Sequence, residues 1–379
     1  MSDYDVIIVG GGGVGLSTAY HLAKKGLRVC IIEKNYLGSG SSTRNAGGFR
    51  VHFKAEENVR YMVAGRKKLL SLPKETGWNV TPITGGYFWV LHNEQAMQEF
   101  RELNRMWASQ GVAGQLLGGK EVKERLPMLE LGATVGGFFG PQDGGFHHDL
   151  VVFGYQAAIR RLRVDVREYS PVSGIIVEGG KVTGAKVGSR EIRGEKLVIC
   201  AGAWTPTISR LAGVDIPISA ERREMGVTEP IKFFLRPFVI IPSEGVYFAQ
   251  GLRGEIRGTV TDLKTEGLVP LVSTYAWTVE YARRLLRVFP GMAGVRFNRQ
   301  WSGYYEMTPD HSHIMGRGNA WPEGLYVAAG FSGHGMMMSP ITGELMAEHV
   351  SGDTTPQLML PFSPDRFAEG KPVRELMVF

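Results

Sequence analysis

Gly10, Gly12 and Gly15 follow directly on an apolar run, Val6 to Val9, and Glu33 closes the next one. These residue types at this spacing point to the handling of phosphates. Gly10 permits a tight turn, Gly12 lets backbone approach a pyrophosphate, and Gly15 lets a helix pack closely on a strand. Leu16, Ala19, Tyr20, Leu22 and Ala23 recur at helical spacing. The helix they form opens at the glycines and turns free N–H groups towards an anion. Val14 lies in that first turn, and Glu33, with Lys34 beside it, is placed to accept hydrogen bonds from ribose hydroxyls. Glycines alone match many loops by chance. Strand, helix, second strand and terminal acid in register make a dinucleotide-binding unit.

A second loop follows at once. "GSGSSTRNAGGF" (Gly38 to Phe49) is rich in glycine and serine, where a nicotinamide-binding unit would continue into another helix and strand. It suits a second contact with one long cofactor, through Ser41, Ser42, Arg44, Asn45, Gly47, Gly48 and their backbone N–H groups. Far along the chain, "VAAGFSGHGMMMSP" sets Gly330, Ser332, Gly333, His334 and Gly335 before Met336. Such backbone freedom lets main chain touch a flat ring, with Ser332 as a candidate helix N-cap. "KLVICAGAWTP" (Lys196 to Pro206) reads as the last strand of a nucleotide sheet, with Ala201 and Gly202 close to the cofactor and Trp204 packing nearby. Arg50 ends the second loop and carries the planar fork that best holds a carboxylate. Tyr247 and Tyr305 are hydroxyl partners for the same substrate, each equally suited to core packing, and Arg257 is a weaker second cation.

At 379 residues the chain exceeds what one hydrophobic core usually holds, so two domains are expected. Hydrophobic residues at 43% and charged residues at 21% exclude a disordered chain. No apolar run approaches bilayer length, and the N-terminus lacks the layout of a signal peptide, which gives a cytoplasmic or at most membrane-peripheral protein. The net charge of +6 is spread in short pairs such as Lys67-Lys68, so nucleic acid is not an expected partner. Cys30 and Cys200 sit in apolar runs without metal or disulfide spacing, so no metal is expected. Eight Asn and nine Gln, with Arg ahead of Lys, match a thermophile's avoidance of labile amides.

The expected fold is α/β plus α+β. Residues 1–80, 146–220 and 321–379 form a discontinuous, Rossmann-like cofactor domain that includes the β-meander of "REYSPVSGIIVEGGKVTGAKV". Residues 81–145 and 221–320 carry the aromatic runs "GGYFWVLH", "GVYFAQG" and "QWSGYY", and build an antiparallel-sheet substrate domain over the cofactor.

The N-terminal fingerprint, "GSGSSTRNAGGFR", "LVICAGAWTP", "WSGYYEMTPDHSHIMGR" and "AAGFSGHGMMMSP" together span nearly the whole chain. On them the chain resembles the FAD-dependent amine and amino-acid oxidoreductases of the D-amino-acid-oxidase-like superfamily. The branch is that of sarcosine oxidase, glycine oxidase and the β subunit of archaeal dye-linked L-proline dehydrogenase. The resemblance implies FAD, with Val172 pairing its backbone with the adenine and Gly303 among the cofactor contacts. The N–H groups of Gly333, His334 and Gly335 would meet the flavin edge where reduction places negative charge. Arg50 matches the carboxylate-binding arginine of sarcosine oxidase.

Two departures alter what the resemblance implies. Sarcosine oxidase attaches FAD through a cysteine shortly before "TPD"; "GYYEMTPD" has none, so FAD is expected to be non-covalent. A lysine that assists carboxylate binding there is Met337 here, which makes the pocket more apolar and favours proline over glycine. His148, in "DGGFHHDL", stands where heterotetrameric relatives bind a second flavin, although a paired histidine at a helix start is also an ordinary packing feature.

The implied reaction is hydride transfer from the Cα of a small, secondary or cyclic amino acid to flavin N5, giving an imine. It needs no dedicated base, and His52, His311 and His313 are candidates for tuning substrate protonation. Electrons pass to a quinone, a dye or a partner flavoprotein, because "GHGMMMSP" offers no cation to activate oxygen. The alternatives are a sarcosine, glycine or D-amino-acid oxidase using O2, and an FAD-carrying β subunit active only in a heteromeric complex. A homo- or hetero-oligomer fits either.

Overall fold

The computed structural model describes residues 2–352 and 354–378. Two large sheets organise them. In the first, strands Leu325–Ala329, Arg190–Ile199, Tyr4–Val9, Val29–Ile32 and Asp165–Arg167 run parallel in that spatial order. Alternation of side chains splits the core of this sheet in two. Val6, Ile8 and Ile31 face helices, while Ile7, Val9, Cys30 and Ile32 face the other side with Ile175, Val182 and Ala185. The helices are Gly13–Lys24 and Gly335–Ser351, packed on each other, with Glu56–Thr76 against the latter. The opposite cover is the hairpin Val172–Glu178 and Lys181–Val187, which leads into Arg190–Ile199 as a meander. Burial on both faces is why these strands are continuous apolar runs.

The second sheet follows the order Thr265–Glu266, Ser219–Pro230, Glu255–Val260, Val246–Gln250, Phe238–Ile241, Tyr87–Leu91, Gly136–Gly140 and Gln115–Gly118. It is antiparallel apart from the pair Phe238–Ile241 and Tyr87–Leu91. Phe297–Met307 pairs with Ser219–Pro230 from Ser219 to Thr228 and carries the chain back towards the first sheet. A short ladder between Gly48–Phe49 and Gly144–Gly145 lies between the two. The strand Ile314–Gly316 corrects one expected boundary. It lies within 221–320, yet it pairs with Leu325–Ala329 in the first sheet. Its three residues are too few to show a period, so only tertiary pairing reveals it. Among the described residues no helix is long and apolar enough to cross a membrane.

Asp310, in the "TPD" stretch, ties the end of the chain to this framework. Arg366 grips it with Nε–Oδ2 at 2.8 Å and Nη2–Oδ1 at 2.9 Å, and both side chains are 2% exposed. Burial opposes ionisation of Asp310, but Arg366 and the N–H groups of Val373 and Ser312 outweigh it and hold the carboxyl below the usual range. Removing one partner would strand a buried charge. Asp310→Ala should therefore cost about 3–5 kcal/mol of stability, read as a lower urea midpoint with unchanged slope.

Candidate active site

A cavity at the C-terminal ends of the parallel strands takes in Glu33 and Val172 as well as Tyr247. Open α/β sheets place their ligands at this edge. Gly10 has φ +111°, and a Cβ there would stand 2.3 Å from the Cys200 carbonyl oxygen, so only glycine makes the turn. Gly15 lies behind the cavity wall and does not line it. A Cβ at that position would fall 2.0 Å from the Gly10 carbonyl oxygen, which makes Gly15 a packing residue. The two N-terminal loops are joined where the Gly13 N–H donates to Ser42 Oγ at 2.9 Å. Glu33 accepts from the N–H groups of Gly11 at 2.8 Å and Asn35 at 2.9 Å. Lys34 lies 3.1 Å over the Trp204 ring, itself edge-on to Tyr304.

Gly12, Val14, Ser41, Ser42, Arg44, Asn45, Gly47, Gly48, Val172, Ala201, Gly202, Trp204 and Gly303 all line this cavity, as do Gly333, His334, Gly335 and Met336. Gly330 and Ser332 do not. They shape the turn from behind, with φ +75° and +48°, and Gly333 follows at +89°. Ser332 donates its N–H to the Glu306 carbonyl and turns Oγ back to Gly330, so it does not cap the helix. His334 is the N-cap, without a side-chain capping bond, and the helix Gly335–Ser351 begins at the cavity wall. A Cβ on Gly333 would stand 2.4 Å from the Tyr305 ring, which is why the run needs glycine there.

At the far end the cavity is built from the second sheet. Arg50 is 2% exposed and lies 4.3 Å over the Phe53 ring. Its Nη1 donates to the His52 carbonyl at 3.2 Å, and its Nη2 reaches His334 Nε2 at 2.9 Å and the Met377 carbonyl. Burial, and then the Arg50 charge, push the His334 imidazole far below its ordinary pKa. A neutral His334 accepting at Nε2 carries its proton on Nδ1. Tyr87, Tyr247 and Tyr305 share this end of the cavity, and burial raises each phenol above its ordinary pKa, so all three keep their protons. Tyr87 stacks on Phe238 at 4.7 Å. Met337 lines the same end, whereas Met338 is core.

Tyr87, Arg223 and Glu306 also line the cavity, although nothing local in the sequence marks them. Arg223 lies 4.8 Å over the Tyr305 ring and is tied to the Thr261 carbonyl at 2.6 Å and to Glu221 at 2.9 Å. Tyr87 follows two glycines at a strand start, a signal that placed the strand but not its hydroxyl. Other expected residues fall elsewhere. Arg257 lies behind Phe238, outside the cavity. His52 is spent on Asp143 at 2.7 Å and on the Val112 carbonyl at 2.8 Å. His311 faces the Glu375 carbonyl, and His313 is stacked between Phe331 and Phe362. His148 opens the helix His148–Arg161 outside the cavity.

Glycine turns under free amides, an acid at one end and a helix N-terminus at the other fit a dinucleotide with a flat ring. Residues 5–349 match the family model described as FAD dependent oxidoreductase. The chain belongs to this family. FAD is its cofactor. Sarcosine oxidase subunit beta of Rhodobacter capsulatus is 30% identical over 380 residues, covering 98% of this chain and 90% of that one. Glycine oxidase of Geobacillus kaustophilus is 26% identical, covering 95% and 96%. The crystal structure of L-proline dehydrogenase from P. horikoshii superposes with a TM-score of 0.92 at 29% identity, covering 98% and 99%.

Glu306 lies beside Gly202 on the cavity wall, and burial pushes its carboxyl up to about 7 against backbone N–H donors of Gly330 and Phe331. The folded state thus prefers the neutral acid. The resulting stabilisation is complete below about pH 4.5 and is lost as pH rises through about 7. Glu306→Gln should flatten this slope. Melting temperatures from about pH 5 to about pH 7.5 should fall for the wild type relative to the variant.

Proposed function

We propose that this chain oxidises the C–N bond of a small secondary or cyclic amino acid, proline-like in shape. The hydride leaves Cα, an imine is the product, and the electrons go on to an acceptor other than oxygen. The observation that carries the reading is the buried Arg50, set among three tyrosines in the same cavity as the glycine turns. FAD, when bound, supplies the two-electron acceptor. The amides of Gly12 and Val14 would hold its pyrophosphate, Glu33 a ribose, the Ser41–Gly48 loop the polyol, and the first amides of Gly335–Ser351 the ring edge.

Arg50 takes the substrate carboxylate and thereby fixes where Cα stands. Tyr247 and Tyr305 keep their protons and donate hydrogen bonds. His334, neutral and accepting from Arg50, adds no competing charge. An amine entering deprotonated needs no base. The Tyr87–Phe238 stack, Ile240, Met225 and Met337 form an apolar wall that rewards hydrocarbon on the substrate. This supports a ring amino acid over glycine. The likeness to a sarcosine oxidase subunit beta supports a second reading, in which the chain works as one subunit of a heteromer.

The purified protein should show an oxidised-flavin spectrum that bleaches anaerobically on addition of L-proline. A spectrum that persists would sink L-proline and turn the test to D-proline, sarcosine and glycine. Arg50→Met should raise the apparent substrate constant about 100-fold or more with FAD retained; unchanged kinetics would remove Arg50 from the site. Turnover of the chain alone with an artificial dye separates the self-sufficient enzyme from the subunit.

A further inference from the structure

Arg223 stands on the strand Ser219–Pro230 opposite Gly303, and both residues line the cavity. Side chains two apart on a strand share a face, so Glu221 and Met225 flank it, and Met225 lines the cavity too. A guanidinium carries five N–H donors. Arg223 gives one from Nη1 to the Thr261 carbonyl and one from Nη2 to Glu221. Its Nε is buried and meets no acceptor among the described residues. One N–H on each nitrogen is thus left without a protein acceptor among those residues, on a side chain that is largely buried. An arginine that only braced the sheet would fill these donors, because an unmet buried donor destabilises the fold.

Its charge is met as incompletely as its donors. Glu221 accepts from Arg223 at Oε2 and from Lys264 at Oε1, so one carboxylate faces two cations. Burial raises the Glu221 carboxyl, but Lys264 and Arg223 outweigh it and hold the group below its usual range, as a single negative charge. Glu266 approaches Lys264 at 3.8 Å from an exposed position, where solvent screens it. Glu224, next in the chain, accepts from Thr274 Oγ1 at 2.8 Å and Gln300 Nε2 at 2.8 Å, and lies 3.6 Å from Arg222. A positive charge therefore remains at this wall.

Arg223 lies over the Tyr305 ring. Burial raises the Tyr305 phenol, and the charges of Arg223 and then Arg50 are the foremost groups opposing it. Two cations thus act on one hydroxyl, and their mutual repulsion favours an anion beside it. Arg50 donates to the His52 and Met377 carbonyls and reaches His334 Nε2, so part of its fork is engaged within the protein. A carboxylate offers roughly four lone-pair sites, which call for further donors.

From this arrangement we propose that Arg223 is a second carboxylate-binding residue of the cavity, sharing the substrate's carboxylate with Arg50 beside Tyr305. The inference rests on the amino-acid-oxidising reading given above. Arg50 follows the N-terminal loop and Arg223 belongs to the second sheet, so a substrate that engages both cannot swing about one contact, and its Cα is held in place.

The test uses the FAD-loaded protein as wild type, Arg223→Gln, Arg223→Lys and Glu221→Gln. Pyrrole-2-carboxylate is the probe, and its binding is read from the flavin spectrum. Arg223→Gln should raise the dissociation constant about 10–100-fold. Arg223→Lys, which keeps the charge but not the fork, should fall between that variant and the wild type. Glu221→Gln removes the competing anion and leaves the guanidinium, so it should bind the probe at least as tightly as the wild type. A residue that only braced the sheet would give another pattern, with Glu221→Gln weakened as far as Arg223→Gln, and that result would overturn the proposal. So would an Arg223→Gln protein within about 3-fold of the wild type. Should Arg223→Gln fail to retain FAD, Arg223→Lys decides, and wild-type affinity in it sinks the idea. The role of Arg50 is separable, since binding lost in Arg223→Gln but kept in Arg50→Met would leave Arg223 in the site and remove Arg50. A wild type that neither binds the probe nor bleaches with any amino acid would overturn the amino-acid reading and the role of Arg223 together.

Discussion

A guanidinium out of water persists only where fixed dipoles and counter-charge replace its hydration. Arg50 sets that requirement, and its surroundings answer it. The carbonyls of His52 and Met377 and the ring nitrogen of His334 accept from it, Phe53 presents a ring face, and the charges of Glu375 and Asp143 act from further off. Asp143 is itself occupied, accepting from the Val51 N–H at 2.7 Å and facing His52. The residues about Arg50 thus come from the N-terminal loop, the second sheet, the last helix and the chain end. Each of these segments supplies a partner to one buried cation.

The cofactor end is governed by the opposite demand, for backbone with nothing attached. Gly10 presses against the Cys200 carbonyl, and Gly333 presses against the Tyr305 ring. Either contact would be filled by a single Cβ. Ser332 adopts a left-handed conformation that serine seldom takes, held by the Glu306 carbonyl and complete burial. Local strain is the cost of bringing a helix N-terminus, with its free amides, to the cavity wall.

What was legible in the sequence was what is local in the chain. Gly10 to Glu33 forms one strand–helix–strand unit whose spacing is dictated by its own geometry, and the glycine run at Gly330 carries its φ requirements in its composition. The two-sheet architecture followed from where the aromatic alternating runs lay. The rest depends on pairings across hundreds of residues. Nothing near Tyr87 distinguishes a cavity hydroxyl from a strand-edge tyrosine until its strand pairs with Phe238–Ile241. Arg223 alternates with Glu221 on a strand whose facing was unknown, and Glu306 reads as a solvent-facing position until Gly330 and Phe331 close over it. His52 and His313 looked like titrating groups because isolated histidines do, yet one is absorbed by Asp143 and the other by a stack of rings. The Ile314–Gly316 edge strand is too short for any period to show.

The charges at the substrate end narrow the chemistry further. Arg223 is matched by Glu221, His334 is neutral, and Arg50 lies buried beside them. Across from it stand phenols that keep their protons and an apolar wall with Met337. On the proposed reading, such a pocket would take the carboxylate at one point and reward hydrocarbon elsewhere. On the proposed reading an ammonium beside that guanidinium would be repelled, and Glu306, the wall carboxylate next to Gly330 and Phe331, is biased by burial towards its neutral form. On the proposed reading, the amine is best accommodated uncharged, with its nitrogen lone pair free to assist departure of the hydride. Charge arriving at the ring would meet the amides of the Gly335–Ser351 helix rather than a side-chain cation. On the proposed reading, those backbone dipoles would stabilise negative charge at the ring edge.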